Sequence, residues 1–203
     1  MKGRRPLEVE EVNRLIETAK DHRERALFGV CFWTGARVSE ALALDLDDVI
    51  EPYRDTWRIR AGIEFRRQTT KGRRSGRQVH VHETLSAYLH RYIDATRGLE
   101  PGPLFLASGS GRRREDHRLS RRQATRLFTA AFGRADIHTF VGTQSGRKTF
   151  AQRLHDAGTG IEHIQDGLGH RDVRHTRRYF ETDRRKAAAA VASLPAGPPL
   201  PSR

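Results

Sequence analysis

Residues 161–180 read Ile-Glu-His-Ile-Gln-Asp-Gly-Leu-Gly-His-Arg-Asp-Val-Arg-His-Thr-Arg-Arg-Tyr-Phe, and they hold the types that chemistry on a phosphodiester needs. The helical apolar pattern Ile161, Ile164, Leu168 stops at Gly169, a residue suited to a left-handed C-cap. His170 follows at once. A second segment then starts with Asp172 at or near its N-terminus. If it is helical, Val173, Thr176 and Phe180 face inward, and Asp172, His175 and Tyr179 form a neighbouring stripe. Tyr179 then stands at the margin of the packed face, among Arg171, Arg174, Arg177 and Arg178. Positive charge beside a phenol favours the phenolate, so a phosphodiester there meets both a charge clamp and a nucleophile. The same residues also describe an amphipathic surface helix with solvated arginines and a half-buried tyrosine.

Two further arginines stand where a core residue is expected. In residues 36–44 (Ala-Arg-Val-Ser-Glu-Ala-Leu-Ala-Leu) a helical pattern turns Val38, Ala41, Leu42 and Leu44 inward, with Arg37 in line with Ala41 and Leu44. Arginine is seldom buried without a partner, and Glu40, three residues on, can supply one. The pair reads either as a structural ion pair or as an arginine held at the floor of a cleft, its fork toward an anion. Arg147 shares the apolar stripe of Phe150, Ala151 and Leu154 in a helix over residues 143–157. Residues 68–76 form a basic turn holding Lys71, Arg73 and Arg74 between two β-rich runs. That turn is either a solvated hairpin tip, where basic residues protect sheet edges, or a β-finger laid into a DNA groove with Lys71 at a phosphate.

The elements around these residues predict a mainly α chain with a small antiparallel β-sheet/hairpin. After a basic tail (residues 1–5), helices are expected from Leu7 to about Ala19 and over 23–33, the second ending at Thr34-Gly35. Asp45, Asp47 and Asp48 close the helix that carries Arg37. Strands are expected over 56–66 and 77–82, and a helix over 83–96 through Leu85, Tyr88, Leu89, Tyr92 and Ile93. A short buried segment (104–106) and a polar, basic loop (109–117) follow. Ser120 caps a helix running to about Gly133, with Ala124, Leu127, Phe128 and Ala131 inward. Its outer face carries Arg121, Arg122 and Arg126, which suit a DNA backbone. Residues 187–194 form an Ala-rich helix, and the Pro-rich 195–203 read as disordered.

Composition narrows the partners. The chain has 203 residues, 36% of them hydrophobic, enough for one globular core with small appendages. A formal charge of +13 points to an acidic polymer, nucleic acid first. An anionic membrane is the other candidate, but the longest apolar run, residues 26–33, is too short to span a bilayer. The first ten residues lack the apolar core of a signal peptide, so a cytoplasmic location is expected. Cys31 is the single cysteine, which excludes an intrachain disulfide and a cysteine-based zinc site; it reads as a small core residue. The ten histidines show no metal spacing. His80 and His82 share one face of a strand and read as surface or DNA-facing. No metal and no cofactor are expected.

Taken in order, Thr34-Gly-Ala-Arg37-Val-Ser-Glu40, Thr70-Lys71-Gly72, Arg147-Lys-Thr-Phe-Ala, Leu168-Gly-His170 and Tyr179 resemble the catalytic domain of the tyrosine recombinases, the phage integrase family, over about residues 7–183. Each piece is weak alone. Together, with His170 nine residues before Tyr179, they are specific. The resemblance implies a tyrosine-recombinase catalytic-domain fold over residues 1–186, followed by the 187–203 helix and tail. It makes Arg37 and Arg147 the clamp on the scissile phosphate, Lys71 the proton donor to the leaving 5′ oxygen and His170 the Leu-Gly-His histidine. Tyr179 becomes the nucleophile and Glu40 the support of Arg37. Arg73, Arg74, Arg121, Arg122, Arg126 and Arg174 are the expected DNA contacts. The partners implied are double-stranded DNA and further copies of the chain, a tetramer on DNA, in a nucleoid-associated setting. The 187–194 helix either docks on a neighbouring copy or packs on its own domain.

Two departures stand out. Where the family usually has histidine three residues before the second arginine, this chain has Gln144, which can hydrogen-bond a phosphate but cannot take a proton near neutral pH. The N-terminal DNA-clamping domain that most members carry also finds no room here, and small lone-domain members, the fimbrial phase-variation recombinases, are more similar. Their Ile-Gln-Asp-x-Leu-Gly-His-Arg-x-x-Arg-His-Thr run is similar to residues 164–176. Three functions stay open: a site-specific recombinase cutting through Tyr179, a DNA-binding regulatory relative with little or no cleavage, and a type IB topoisomerase-like nicking and closing enzyme. All three require a salt-sensitive interaction with DNA. Affinity for duplex DNA should fall about a thousandfold or more between 50 and 200 mM salt if six or more phosphates are contacted. A titration showing salt-insensitive binding would remove all three.

Overall fold

The computed structural model describes residues 4–65, 76–107, 117–177 and 179–180. Eight α-helices and four short strands occur among them: α1 (Val9–Glu17), α2 (His22–Thr34), α3 (Val38–Leu42), β1 (Ile50–Tyr53), β2 (Thr56–Ile59), β3 (Gly62–Phe65), β4 (Arg77–His80), α4 (Glu83–Tyr92), α5 (Arg121–Arg134), α6 (Ser145–Asp156), α7 (Ile161–Leu168) and α8 (Val173–Arg177). The mainly α expectation with a small antiparallel β component holds. No described helix is long and apolar enough to cross a membrane.

The core forms around α2. This helix is buried on almost every side, through Ala26, Leu27, Phe28, Val30, Cys31 and Phe32, which suits a helix with neighbours all around it. Asp21 fixes its start by accepting from the Glu24 N–H at 2.7 Å. Gly35, at φ +63°, ends it in the left-handed conformation that lacks strain only for glycine. α6 approaches α2 closely because Gly146 has no side chain: a Cβ there would stand 3.1 Å from both Cβ and the carbonyl oxygen of Cys31. Burial pushes the Cys31 thiol well up, in keeping with a core residue. α5 starts where the sequence places it, on a reciprocal cap between Ser120 and Gln123.

The β region differs from expectation. The continuous strand expected over 56–66 is two strands in separate two-stranded antiparallel sheets, β1–β2 and β3–β4. Ile59 pairs with Ile50, and Gly62 pairs with His80. The alternation of Trp57, Ile59, Ile63 and Phe65 runs unbroken across Arg60-Ala61, so periodicity cannot reveal the change of partner. β1 carries Pro52, which a short edge strand tolerates and a pattern search discounts. Four shorter differences concern ends. The three aspartates do not close α3, which stops at Leu42; Leu46–Asp48 form a separate 3₁₀ turn. The 83–96 helix becomes α4 plus a wide turn, Ile93–Arg97. α6 begins two residues later than expected, leaving Gln144 at its N-cap. α8 ends at Arg177, so Tyr179 lies in a following turn, its N–H donating to the Thr176 carbonyl at 3.0 Å, rather than on a helical stripe.

A smaller apolar cluster carries the C-terminal elements. Ala151, Ile164 and Leu168 form its buried centre, with Phe150, Leu154, Tyr179 and Phe180 packed against it. Gly35 touches this cluster. A Cβ at Gly35 would lie 2.5 Å from Phe150 Cδ1 and 3.0 Å from Leu168 Cδ2. Gly35→Ala adds that overlap to a positive φ, and should cost about 2–3 kcal/mol in urea unfolding. An unchanged unfolding midpoint would show that the α2–α7 junction yields freely.

Candidate active site

The site begins with two glycine-terminated helices. Gly35 ends α2 and Gly169 ends α7, both at φ +63°. The last carbonyls of a helix have no partner within it and carry its negative dipole end. Here the ends of α2 and α7 lie close enough for one guanidinium to serve both. Arg147 Nη1 donates to the Gly35 carbonyl at 2.8 Å, and Nη2 donates to that of Leu168. Arg77 repeats the pattern one residue earlier on each helix end, donating through Nη1 to the carbonyls of Thr34 (3.0 Å) and Gly167 (2.7 Å). Its guanidinium also lies over the Phe65 ring, 4.3 Å from the centroid.

Glu40 joins these arginines to Arg37. Its carboxylate accepts from the Arg37 N–H at 2.9 Å, Arg37 Nη1 at 2.7 Å and Arg77 Nη2 at 3.1 Å, and lies 3.9 Å from Arg147 Nη1. The expected Arg37–Glu40 pair is therefore present, inside a larger network. Arg37 itself precedes α3 as its N-cap, in extended backbone, and is half-buried. Burial by itself would raise the Glu40 carboxyl. The charge of Arg77, the Arg37 N–H and the charges of Arg147 and Arg37 outweigh it, and hold the group below the usual carboxylate range. Arg147 is fully buried. Burial first, and then the like charge of Arg37, lower its pKa to about 10, while Glu40 and Tyr179 act to raise it. It stays protonated at neutral pH. Its Nε is buried and has no acceptor among the described residues.

Tyr179 lies beside this array, half-buried on the second cluster. The His170 ring is tilted against it at 5.5 Å between centroids, and Lys148 Nζ stands 5.7 Å from the Tyr179 ring centre. His170 is oriented from behind by Thr176, whose hydroxyl lies 2.9 Å from Nδ1. Gln144 is exposed at the head of α6. It lines a cleft of about 520 Å³ with Arg4, His138 and Thr143, floored by Phe128 and Phe132. His138 is turned to Asp136, 2.8 Å from Nε2.

Of the predicted site residues, Arg37, Glu40, Arg147, His170 and Tyr179 gather at the α2–α7 junction, and Gln144 heads the helix that carries Arg147. Lys71, Arg73 and Arg74 lie outside the described residues. Arg121, Arg122 and Arg126 are exposed on α5. Arg174 is exposed and engaged with Asp172, at 2.6 Å from Nη2. Of the two strand histidines, His80 lies exposed with Nδ1 3.0 Å from the Ala61 carbonyl oxygen. His82 instead caps α4, accepting from the Thr84 N–H. Sequence reasoning missed Arg77 and Lys148. The signal for Arg77 was its register with Val79 on the inward face of β4; Lys148 had no signal beyond following Arg147.

Residues 5–186 match the phage integrase family. The tyrosine recombinase XerD of Mycobacterium tuberculosis is 33% identical over 184 residues, covering 85% of this chain and 55% of the relative. The chain thus spans little more than half the length of that relative. Among solved structures, the XerA recombinase superposes with a TM-score of 0.75 at 25% identity, over 97% of this chain and 66% of that one. The catalytic domain of the bacteriophage HP1 integrase has the same fold, with a TM-score of 0.63 at 24% identity over 93% and 94% of the two chains.

The network makes a pH prediction. A carboxyl whose folded pKa lies below its unfolded value adds stability that is complete above the ordinary glutamate range and disappears as pH falls through the folded value. Glu40→Gln keeps the shape and removes the charge from among three guanidiniums. It should cost about 2–3 kcal/mol at neutral pH, and the gap from wild type should close on the acid side. A gap that does not change with pH would show that the Glu40 charge contributes no net stability.

Proposed function

The chain belongs to the phage integrase family, and from that premise we propose that it is a site-specific DNA strand transferase working through a 3′-phosphotyrosyl intermediate. One observation carries the reading: a fully buried, charged arginine, Arg147, held between two helix ends within reach of Arg37, Glu40 and Tyr179. Burying such a charge is expensive unless it is paired, and here three guanidiniums share one carboxylate. The surplus positive charge suits an anion that gains charge as it reacts.

In the proposed step the Tyr179 oxygen attacks the scissile phosphorus in line. The new bond is a 3′-phosphotyrosine, and the bond to the 5′ oxygen breaks. Arg37 and Arg147 neutralise the non-bridging oxygens, Arg147 with its Nε still to be satisfied. Lys71 gives the leaving oxygen its proton, so a 5′ hydroxyl is released. His170, steadied by Thr176, and Gln144 hydrogen-bond the phosphoryl group. Gln144 cannot accept the tyrosine proton, which passes to solvent. A 5′ hydroxyl from another strand then attacks the phosphotyrosine and frees Tyr179. The arginines supply the counter-charge, so the step needs no metal. Double-stranded DNA is the substrate, with the exposed α5 arginines, Arg73, Arg74 and Arg174 along its backbone. Exchange between two duplexes calls for four protomers, and the setting is the bacterial cytoplasm at the nucleoid. A second reading, a DNA-binding regulator with little cleavage, draws on Gln144.

The test uses nicked duplexes from DNA flanking the protein's own gene, with denaturation-resistant protein–DNA bands as readout. Wild type should give a band that Tyr179→Phe loses. A band only with Gln144→His would favour the regulator, and a band persisting in Tyr179→Phe would remove Tyr179 as the nucleophile.

A further inference from the structure

Arg77 belongs to none of the roles assigned above, yet it has more fixed partners than either clamp arginine. Its fork takes one carbonyl from the end of α2, one from the end of α7 and the Glu40 carboxylate. Phe65 covers its face, and its side chain is 8% exposed. Gly169 also fits against it: a Cβ at Gly169 would meet Arg77 Cδ at 3.0 Å. These contacts place Arg77 against the groups that aim the two clamp arginines. The carbonyls it binds, Thr34 and Gly167, adjoin those that hold Arg147, Gly35 and Leu168. The oxygen of Glu40 that it binds, Oε2, also accepts the Arg37 N–H, while Oε1 holds the Arg37 guanidinium.

We infer that Arg77 is a positioning residue for the anion clamp: it fixes the spacing of the α2 and α7 ends and the orientation of Glu40, so that Arg37 and Arg147 converge on one phosphoryl group. This rests on the reading of Arg37 and Arg147 as a phosphate clamp. Arg77 is also the residue paired with Phe65 in the β3–β4 ladder, and the sequence between those strands contains Lys71. One side chain thus ties the end of that ladder to the clamp. A guanidinium is required, because its planar fork can serve several acceptors in fixed directions, whereas an ammonium is a point charge on a flexible stem.

The test does not require the DNA site. Thermal unfolding of the full chain is followed with inorganic phosphate or with chloride at equal ionic strength. Phosphate filling the clamp at ten times its dissociation constant should raise the midpoint of wild type by about 3–5 °C. Arg37→Gln, which leaves the clamp one guanidinium short, sets the baseline for phosphate acting elsewhere. Arg77→Gln should fall to that baseline, and Arg77→Lys should lose at least half of the increment while staying folded by circular dichroism. A purely structural Arg77 would lower the midpoint in chloride and leave the phosphate increment intact, and that result overturns the proposal. So does a wild-type increment no larger than that of Arg37→Gln, since there is then no clamp for Arg77 to align. The Tyr179 adduct assay reports on the reaction independently of either result.

Discussion

Two helices that end against each other create the constraint on which the site depends. The C-termini of α2 and α7 each present carbonyls that nothing within the helix satisfies, and each carries a partial negative charge. Brought together without a donor, they would repel and leave buried acceptors unpaired, at about 1–3 kcal/mol for each such group. Arg147 and Arg77 lie across the junction and satisfy both ends at once. Gly35 and Gly169 suit the same junction, because each ends its helix at positive φ and a Cβ on either would crowd a neighbour across it. The arginines thus satisfy the helix ends in addition to any role they have with DNA.

That double use explains how so much positive charge can be fixed in one place. A guanidinium that donates to carbonyls keeps its full charge, whereas one paired with a carboxylate is neutralised. Three arginines meet here with one glutamate, and much of their hydrogen-bonding capacity goes to neutral backbone oxygens. The balance of charge is positive, largely buried and held by fixed hydrogen bonds. Arrays of this kind stabilise developing anionic charge well because little reorganisation is left for the moment of reaction. The cost is the desolvation of Arg147, visible in its lowered pKa.

The legible parts of the sequence were those with local physical causes. Gly35 and Gly169 end helices for reasons of backbone geometry, Ser120 caps α5 through its own hydroxyl, and Glu40 reaches Arg37 within one helical turn. Each is a short-range effect that a pattern records. Arg147 was legible too, as a charge in an apolar stripe. What escaped depends on residues distant in sequence. The switch of sheets at Ala61 is hidden because alternation is the same on both sides of it. Arg77 was read only as the first residue of a strand, since its partners lie 43, 90 and 37 residues away. Tyr179 was expected on a helical stripe, but α8 stops at Arg177, and the ring is placed by the Ala151–Ile164–Leu168 cluster and by His170.

In the proposed reaction Gln144 bears on one part of the chemistry only. Phosphoryl transfer draws on charge neutralisation, alignment and proton transfer, and these fall to different residues in that proposal. The arginine network is built without reference to position 144, since its partners are helix carbonyls and Glu40. Tyr179 is packed by α6, α7 and His170. A glutamine at the head of α6 can still donate to a phosphoryl oxygen, so what the proposed reaction loses is one proton acceptor. General base catalysis contributes about 10²–10⁴-fold, a fraction of what an electrostatic array and a positioned nucleophile supply together. His138, which shares the cleft with Gln144, is turned to Asp136 and does not replace it. In the proposed reaction the glutamine therefore bears on strand cleavage through one term, while the residues that would bind and align the phosphate remain fixed by the fold.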